Sequence, residues 1–146
     1  MRNNRLINTP AEGRMSITDR HIFGLQKEVE LKGRLEEAIG EQLTKTKGRY
    51  DAVDFTGNSH LVELKCRRNI LPTQYDTWLL PTSKRPKEFG EGTRDTLYIY
   101  HFEADDSLWF LYYDPDLFSG FVKDTPAWHP TYQEHWYIPA NLWTKI

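Results

Sequence analysis

The chain has 146 residues, of which 38% are hydrophobic and 27% are charged, and its formal net charge is −2. This length fits one compact domain, and this composition is too apolar for a disordered chain and too polar for a membrane protein. We therefore predict a polar N-terminal arm over residues 1–15, a single domain over residues 16–146, and no membrane partner. The single cysteine cannot form an intramolecular disulfide, which favours a reducing, cytoplasmic location.

The first half of the chain predicts one long helix and one hairpin. Charged and apolar residues alternate at helical spacing over Thr18–Leu43, where Leu31 and Leu35 belong to a leucine-rich stripe. Residues that favour strands follow over Tyr50–Phe55 and His60–Cys66. The Thr-Gly-Asn-Ser sequence between them is typical of a turn, so the two strands are expected to pair antiparallel.

The second half predicts a short helix over Thr73–Leu80, a hairpin formed by Leu97–Phe102 and Leu108–Tyr113, and a further strand at His135–Ile138. The two aromatic strands carry no interleaved basic residues, which favours a role in the hydrophobic core. The order of these elements predicts an α+β fold in which the long helix covers a mixed central sheet.

Glu63 and Lys65 are the first candidates for chemistry. They are two residues apart on a predicted strand, so both side chains leave the same face. Carboxylates on neighbouring strands suit Mg²⁺, which binds one or two of them together with water and substrate phosphate. A lysine beside such an ion can orient the attacking water or stabilise the charge that develops on the phosphate.

Two aspartates on the preceding strand compete for the same site. Asp51 and Asp54 are separated by an odd number of positions, so only one of them can face the site on a regular strand. Asp54 lies next to the turn, where a solvated or turn-capping aspartate is common. We therefore expect Asp51 to be the site residue.

Three segments together resemble the PD-(D/E)xK nucleases of the small phage and viral type. They are Tyr50-Asp51-Ala52, Glu63-Leu64-Lys65 and the helix that precedes both, and the resemblance covers roughly residues 30–85. It implies a restriction-endonuclease-like core, a central mixed sheet flanked by helices. It also implies that Asp51 and Glu63 bind Mg²⁺ or Mn²⁺, while Lys65 positions or activates water to hydrolyse a DNA phosphodiester bond.

The resemblance further implies a glutamate on the first helix, three residues before one apolar core residue and seven before another. Glu36 matches this pattern, with Ile39 and Leu43 as the apolar pair. The family places one more strand between this helix and the aspartate strand. Here the intervening sequence is short, so either the sheet is abbreviated or the glutamate comes from elsewhere, such as Glu30.

DNA is the expected partner, and Arg67, Arg68, Lys84 and Arg85 are predicted to hold the phosphates that flank the scissile bond. One domain of this size has one site, so double-strand cleavage would need a homodimer. Two alternatives stay open. One is a catalytically silent module of the same fold that binds nucleic acid or a protein partner, and the other is a structural or inhibitor-like phage protein with an aromatic contact face.

Overall fold

The computed structural model describes residues 17–46, 53–128 and 132–146, so the predicted N-terminal arm lies outside the described residues. The elements within these ranges alternate between a few helices and many short strands. In chain order they are α1 (Ile17–Ile39), β1 (Thr44–Lys45), β2 (Phe55–Thr56), β3 (His60–Arg67), β4 (Thr77–Pro81), a 3-10 turn (Thr82–Lys84), β5 (Asp95–Phe102), β6 (Ser107–Tyr112), α2 (Pro115–Ser119), β7 (Val122–Asp124), β8 (His135–Pro139), a second 3-10 turn (Ala140–Leu142) and β9 (Thr144–Lys145).

The strands form two sheets. The larger has six strands in the order β1-β2-β3-β5-β6-β9, and the smaller has three in the order β4-β8-β7. Strands β3 and β5 are parallel, whereas the other neighbouring strands are antiparallel. The protein is therefore α+β with a mixed sheet, which confirms the fold class expected from the order of elements.

Strand β5 explains how the layers are stacked, because it is buried on both faces. Leu97 and Ile99 pack with Leu31 and Leu35 of α1 on one side of the large sheet. The alternate residues of β5 belong to a second, aromatic core that includes residues of the small sheet. This second core contains Tyr98, Tyr100 and Phe102 from β5 together with Trp78, Leu80, Trp136 and Ile138 from β4 and β8.

Helix α1 ends four residues earlier than the sequence pattern predicts. Gly40 adopts φ +87°, a conformation that glycine takes without steric cost, and its N–H donates a hydrogen bond to the Glu36 carbonyl at 2.8 Å. The helix passes through Gly33 without a break. Beyond Gly40 the chain turns back to the edge of the large sheet and forms β1.

The predicted short helix over Thr73–Leu80 is wrong, because residues Thr77–Pro81 form strand β4. Trp78 and Leu80 are buried while Leu79 between them is partly exposed, which is the two-residue period of a strand. Pairing with β8 over five residues satisfies the backbone hydrogen bonds of this segment. The local sequence alone does not predict this pairing.

The other strand predictions fare better. Strands β5 and β6 form the expected aromatic hairpin, and β8 coincides with the strand expected near His135. Of the first hairpin, β2 is described and pairs antiparallel with β3, whereas residues 47–52 lie outside the described residues. Strand β1, which has two residues, lies between α1 and β2 along the chain.

Ion pairs as well as apolar packing fix α1 on the large sheet. Arg34 donates to the Asp106 carboxylate at 2.7 Å, and the same oxygen contacts Nε2 of the buried His101 at 2.8 Å. Lys27 lies 3.0 Å from Glu103 in the same β5–β6 turn. These contacts hold one face of α1 against the large sheet.

Neither helix in the described ranges combines the length and the apolar character that crossing a membrane requires.

Candidate active site

A cavity of about 810 Å³ opens beside β3, and we call it the central cavity. Its walls come from the first half of α1, from β1 and the residues before β2, from the 3-10 turn after β4, and from residues around the start of β8. Three acidic side chains line it, Glu28, Asp54 and Glu63. Six basic side chains share the lining: Arg20, Lys45, Lys65, Arg67, Arg68 and Lys84.

Strand β3 places Glu63 and Lys65 in the central cavity together, as their spacing predicts. They pair in parallel register with Tyr98 and Tyr100, whose side chains lie in the aromatic core. Glu63 is only 6% exposed, so its carboxyl group sits at the bottom of the cavity. The strand therefore places an acid and a base side by side in the cavity, both largely withdrawn from solvent.

Of the two candidate aspartates, Asp54 lies within the described residues, and its side chain is at this site. Its N–H donates to the Val62 carbonyl, and its Oδ2 accepts a hydrogen bond from the N–H of Leu64, both at 2.8 Å. The side chain thus reaches back to β3 beside Glu63, and its interpretation as a solvated or turn-capping aspartate is wrong. Asp51, the residue preferred from the sequence, lies outside the described residues.

Burial makes both carboxyl groups hard to ionise. Burial, followed by repulsion from the Asp54 carboxylate, raises the pKa of Glu63 to about 8. Burial likewise raises the pKa of Asp54 to about 6, although the hydrogen bond from Leu64 lowers it. The charge of Glu28 is a further cause of the raised pKa of Asp54. The acids therefore repel one another in the absence of a cation.

Two lysines counter part of this negative charge. Lys84 Nζ lies 3.4 Å from Glu63 Oε2, whereas Glu63 Oε1 is buried and has no hydrogen-bond partner among the described residues. Lys65 is itself partly buried. Burial, and then the neighbouring Arg67, lowers its pKa to about 8, against the opposite effect of Glu63. The site thus contains a carboxyl and an ammonium group that both titrate close to neutral pH.

The helix glutamate that lines the central cavity is Glu28. It forms an ion pair with Lys45 of β1 and hydrogen-bonds the Asp54 side chain. Leu31 and Leu35, three and seven residues after it, are both buried in the core under α1. The spacing expected of the helix glutamate therefore exists here, two turns before the position chosen from the sequence.

Glu36 and Glu30 lie outside the lining of the central cavity. Glu36 accepts a hydrogen bond from the N–H of Leu43 at 2.9 Å and pairs with Lys32 at 3.1 Å. Its contacts thus hold the chain where it leaves α1. Glu30 is largely exposed and pairs with Lys27. Among the helix glutamates considered, only the unpredicted Glu28 reaches the other acids.

Three of the four predicted phosphate contacts line the central cavity, namely Arg67, Arg68 and Lys84. Arg85 lies elsewhere, with its guanidinium 5.2 Å from the centre of the Trp136 ring. Sequence analysis missed Lys45 and Trp128, which also line the cavity. No local pattern links these two residues to β3, because they reach the cavity only through the tertiary fold.

The cavity suits a hard divalent cation. In the described part of the chain, no three His, Cys, Asp or Glu side chains form a complete metal-ligand group. Mg²⁺ does not need one, because it commonly binds through one or two carboxylates while water and substrate phosphate supply the other oxygens. Asp54 and Glu63 fit this requirement, and the buried, unpartnered Oε1 of Glu63 is an oxygen that a cation would satisfy.

Comparisons with known proteins return nothing to which this arrangement can be referred. No protein-family model matches the chain, and neither a curated protein nor a solved structure is similar enough to count as a match.

The raised pKa of Glu63 predicts how the stability of the metal-free protein changes with pH. Between its ordinary pKa of 4.5 and about 8, the folded protein keeps the Glu63 proton while the unfolded chain releases it. The folded state then binds more protons, so the free energy of unfolding falls as pH rises through this range. Glu63→Gln should remove much of this fall, as measured by thermal unfolding in chelator at several pH values.

The exposed Glu88 provides a matched control for that experiment, because it lies outside the central cavity. Glu88→Gln should keep the pH dependence of the parent. Equal slopes in the parent and Glu63→Gln proteins would mean that Glu63 is ionised in the folded state and that burial does not raise its pKa.

Proposed function

We propose that this chain is a metal-dependent nuclease of the PD-(D/E)xK type, with a restriction-endonuclease-like core, that hydrolyses phosphodiester bonds in DNA. The observation that carries the proposal is the joint presence of Asp54, Glu63 and Lys65 in one recessed cavity lined with basic side chains. The order of elements also agrees with the pattern of these nucleases. A helix glutamate comes first along the chain, followed by an aspartate beside β2 and then by a Glu-x-Lys strand.

Asp54 and Glu63 would hold Mg²⁺ or Mn²⁺, with Glu28 completing the acidic wall of the cavity. When bound, the cation would stabilise negative charge on the phosphate and lower the pKa of a water molecule. Its positive charge would also offset the burial and the repulsion that raise the pKa of Glu63 in the metal-free protein. The acids are thus arranged for a ligand that brings positive charge.

Lys65 would act on the attacking water or on the phosphate. Its lowered pKa, about 8, lets it exist in both protonation states near neutral pH, which suits a group that accepts or donates a proton during the reaction. Arg67, Arg68 and Lys84 would neutralise the phosphates on either side of the scissile bond. A single cavity acts on one strand, so a double-strand break would require a second copy of the chain.

The direct test is cleavage of plasmid, linear duplex and single-stranded DNA with Mg²⁺ or Mn²⁺ and with chelator. We expect cleavage that depends on the cation and is lost in Glu63→Gln. DNA binding without cleavage under any of these conditions would instead favour the catalytically silent module.

Asp54 and Asp51 give contrasting predictions. Asp54→Asn should reduce cleavage by about 100-fold or more, because it removes a carboxylate that would bind the cation. Asp51→Asn should keep most of the parent rate, as should Asp76→Asn, which alters an exposed aspartate outside the cavity. Rates of plasmid nicking at saturating Mg²⁺ would measure all three. An inactive Asp51→Asn protein beside an active Asp54→Asn protein would reverse the assignment.

Lys65 separates cation binding from catalysis. Its positive charge opposes cation binding in the free protein, so Lys65→Ala should bind Mn²⁺ as tightly as the parent or more tightly. Cleavage should nevertheless fall by about 100-fold, because the group that acts on water or phosphate is lost. Titration calorimetry and plasmid nicking measure the two effects, and Lys87→Ala is the control outside the cavity. Near-parent cleavage by Lys65→Ala would show that the Glu-x-Lys strand is not catalytic.

A further inference from the structure

The acids of the central cavity lie well below its rim. The Glu63 side chain is 7% exposed, whereas those of Lys84 and Lys45 are 27% and 39% exposed. Trp128, which also lines the cavity, is 65% exposed. A phosphate that reaches Glu63 must therefore pass between side chains that stand closer to solvent. The side chains at the entrance therefore contact any ligand that binds to the acids.

Trp128 places a large aromatic surface at this entrance. A second aromatic residue of the lining, Phe23, has the Arg68 guanidinium 5.5 Å and the Lys27 ammonium 5.7 Å from its ring centre. Cations thus lie close to the Phe23 ring, and more than half of Trp128 is accessible to solvent. An exposed tryptophan beside basic side chains is the combination with which proteins bind single-stranded nucleic acid, by stacking a base and neutralising the backbone.

A double helix does not suit this arrangement. Its bases are stacked on each other, so it offers no free base face to Trp128 unless a nucleotide is first unpaired. The cavity volume, about 810 Å³, also lies within the range of roughly 300–1,000 Å³ that is usual for pockets that enclose small ligands. Such a space accommodates a short piece of flexible strand rather than a rigid duplex.

We propose that the central cavity takes single-stranded DNA, with an unpaired base stacked on Trp128 and the neighbouring phosphates among the basic side chains. This inference rests on the proposed nuclease function and names its substrate class. Single-stranded tails and gaps are then the substrates, while the paired parts of the same molecules are spared.

Binding is the first test, carried out with Ca²⁺ in place of Mg²⁺ and with fluorescently labelled DNA. We expect a short oligothymidylate of about 10 nucleotides to bind more tightly than a blunt duplex of equal length. Trp128→Ala should weaken oligothymidylate binding about tenfold, and Trp128→Phe should restore most of it, because phenylalanine keeps a stacking face.

Phe89→Ala is the matched control, since Phe89 is 54% exposed but lies outside the central cavity. It should bind both DNAs as the parent does. Equal binding of duplex and single strand by the parent, or unchanged oligothymidylate binding in Trp128→Ala, would overturn the proposal.

Cleavage with Mg²⁺ separates this proposal from the one on which it rests. A duplex with a single-stranded tail should lose its tail first. Cutting of blunt duplex as fast as of single strands would overturn the substrate class but leave the nuclease assignment standing. Selective binding of single strands that depends on Trp128, without cleavage of any DNA, would overturn the nuclease assignment and support the cavity as a single-strand site.

Discussion

The burial of two carboxyl groups side by side is the constraint on which the rest of this structure depends. Asp54 and Glu63 are withdrawn from water, which raises the pKa of both; Asp54 raises the pKa of Glu63 further, and Glu28 raises that of Asp54. Lys84 offsets part of that charge but leaves one buried oxygen of Glu63 without a hydrogen bond among the described residues. An arrangement that is unfavourable in the metal-free protein would become favourable with a bound cation, which is why we propose it as a site.

The two cores make this burial possible. Because β5 is covered by α1 on one face and by the small sheet on the other, its neighbour β3, which pairs with it over all eight residues, is fixed between the two cores. Asp54 then reaches β3 through backbone and side-chain hydrogen bonds to Val62 and Leu64. The acids are thus positioned by sheet pairing, and Glu28 joins them because α1 is fixed by its own packing and ion pairs.

Much of this arrangement could be predicted from the sequence. Glu63 and Lys65 were found because a two-residue spacing on a strand places both side chains on one face. The aspartate was harder, since the odd separation of Asp51 and Asp54 leaves the facing residue open until the strand bounds are known. Strand β2 has only two described residues, and Asp54 lies just before it. A regular strand pattern does not predict that the side chain of Asp54 hydrogen-bonds β3.

The sequence predicts a glutamate on α1 at this spacing but does not indicate which glutamate it is. Both Glu28 and Glu36 precede apolar residues by three and seven positions, so the pattern alone fits either one. The structure distinguishes them, because Glu28 lines the central cavity whereas Glu36 is held by Leu43 and Lys32. Trp128 carried no signal at all, because its place at the cavity entrance results from contacts between segments far apart in the chain.

Proton release on cation binding tests the central claim most directly. With its raised pKa, Glu63 should be largely protonated in the metal-free protein near pH 7 and should lose its proton when a cation binds. Titration of Mn²⁺ by calorimetry in buffers of different ionisation enthalpy should therefore give heats that vary with the buffer, and Glu63→Gln should abolish that variation. Mn²⁺ binding with the same heat in every buffer, or no binding, would contradict the account.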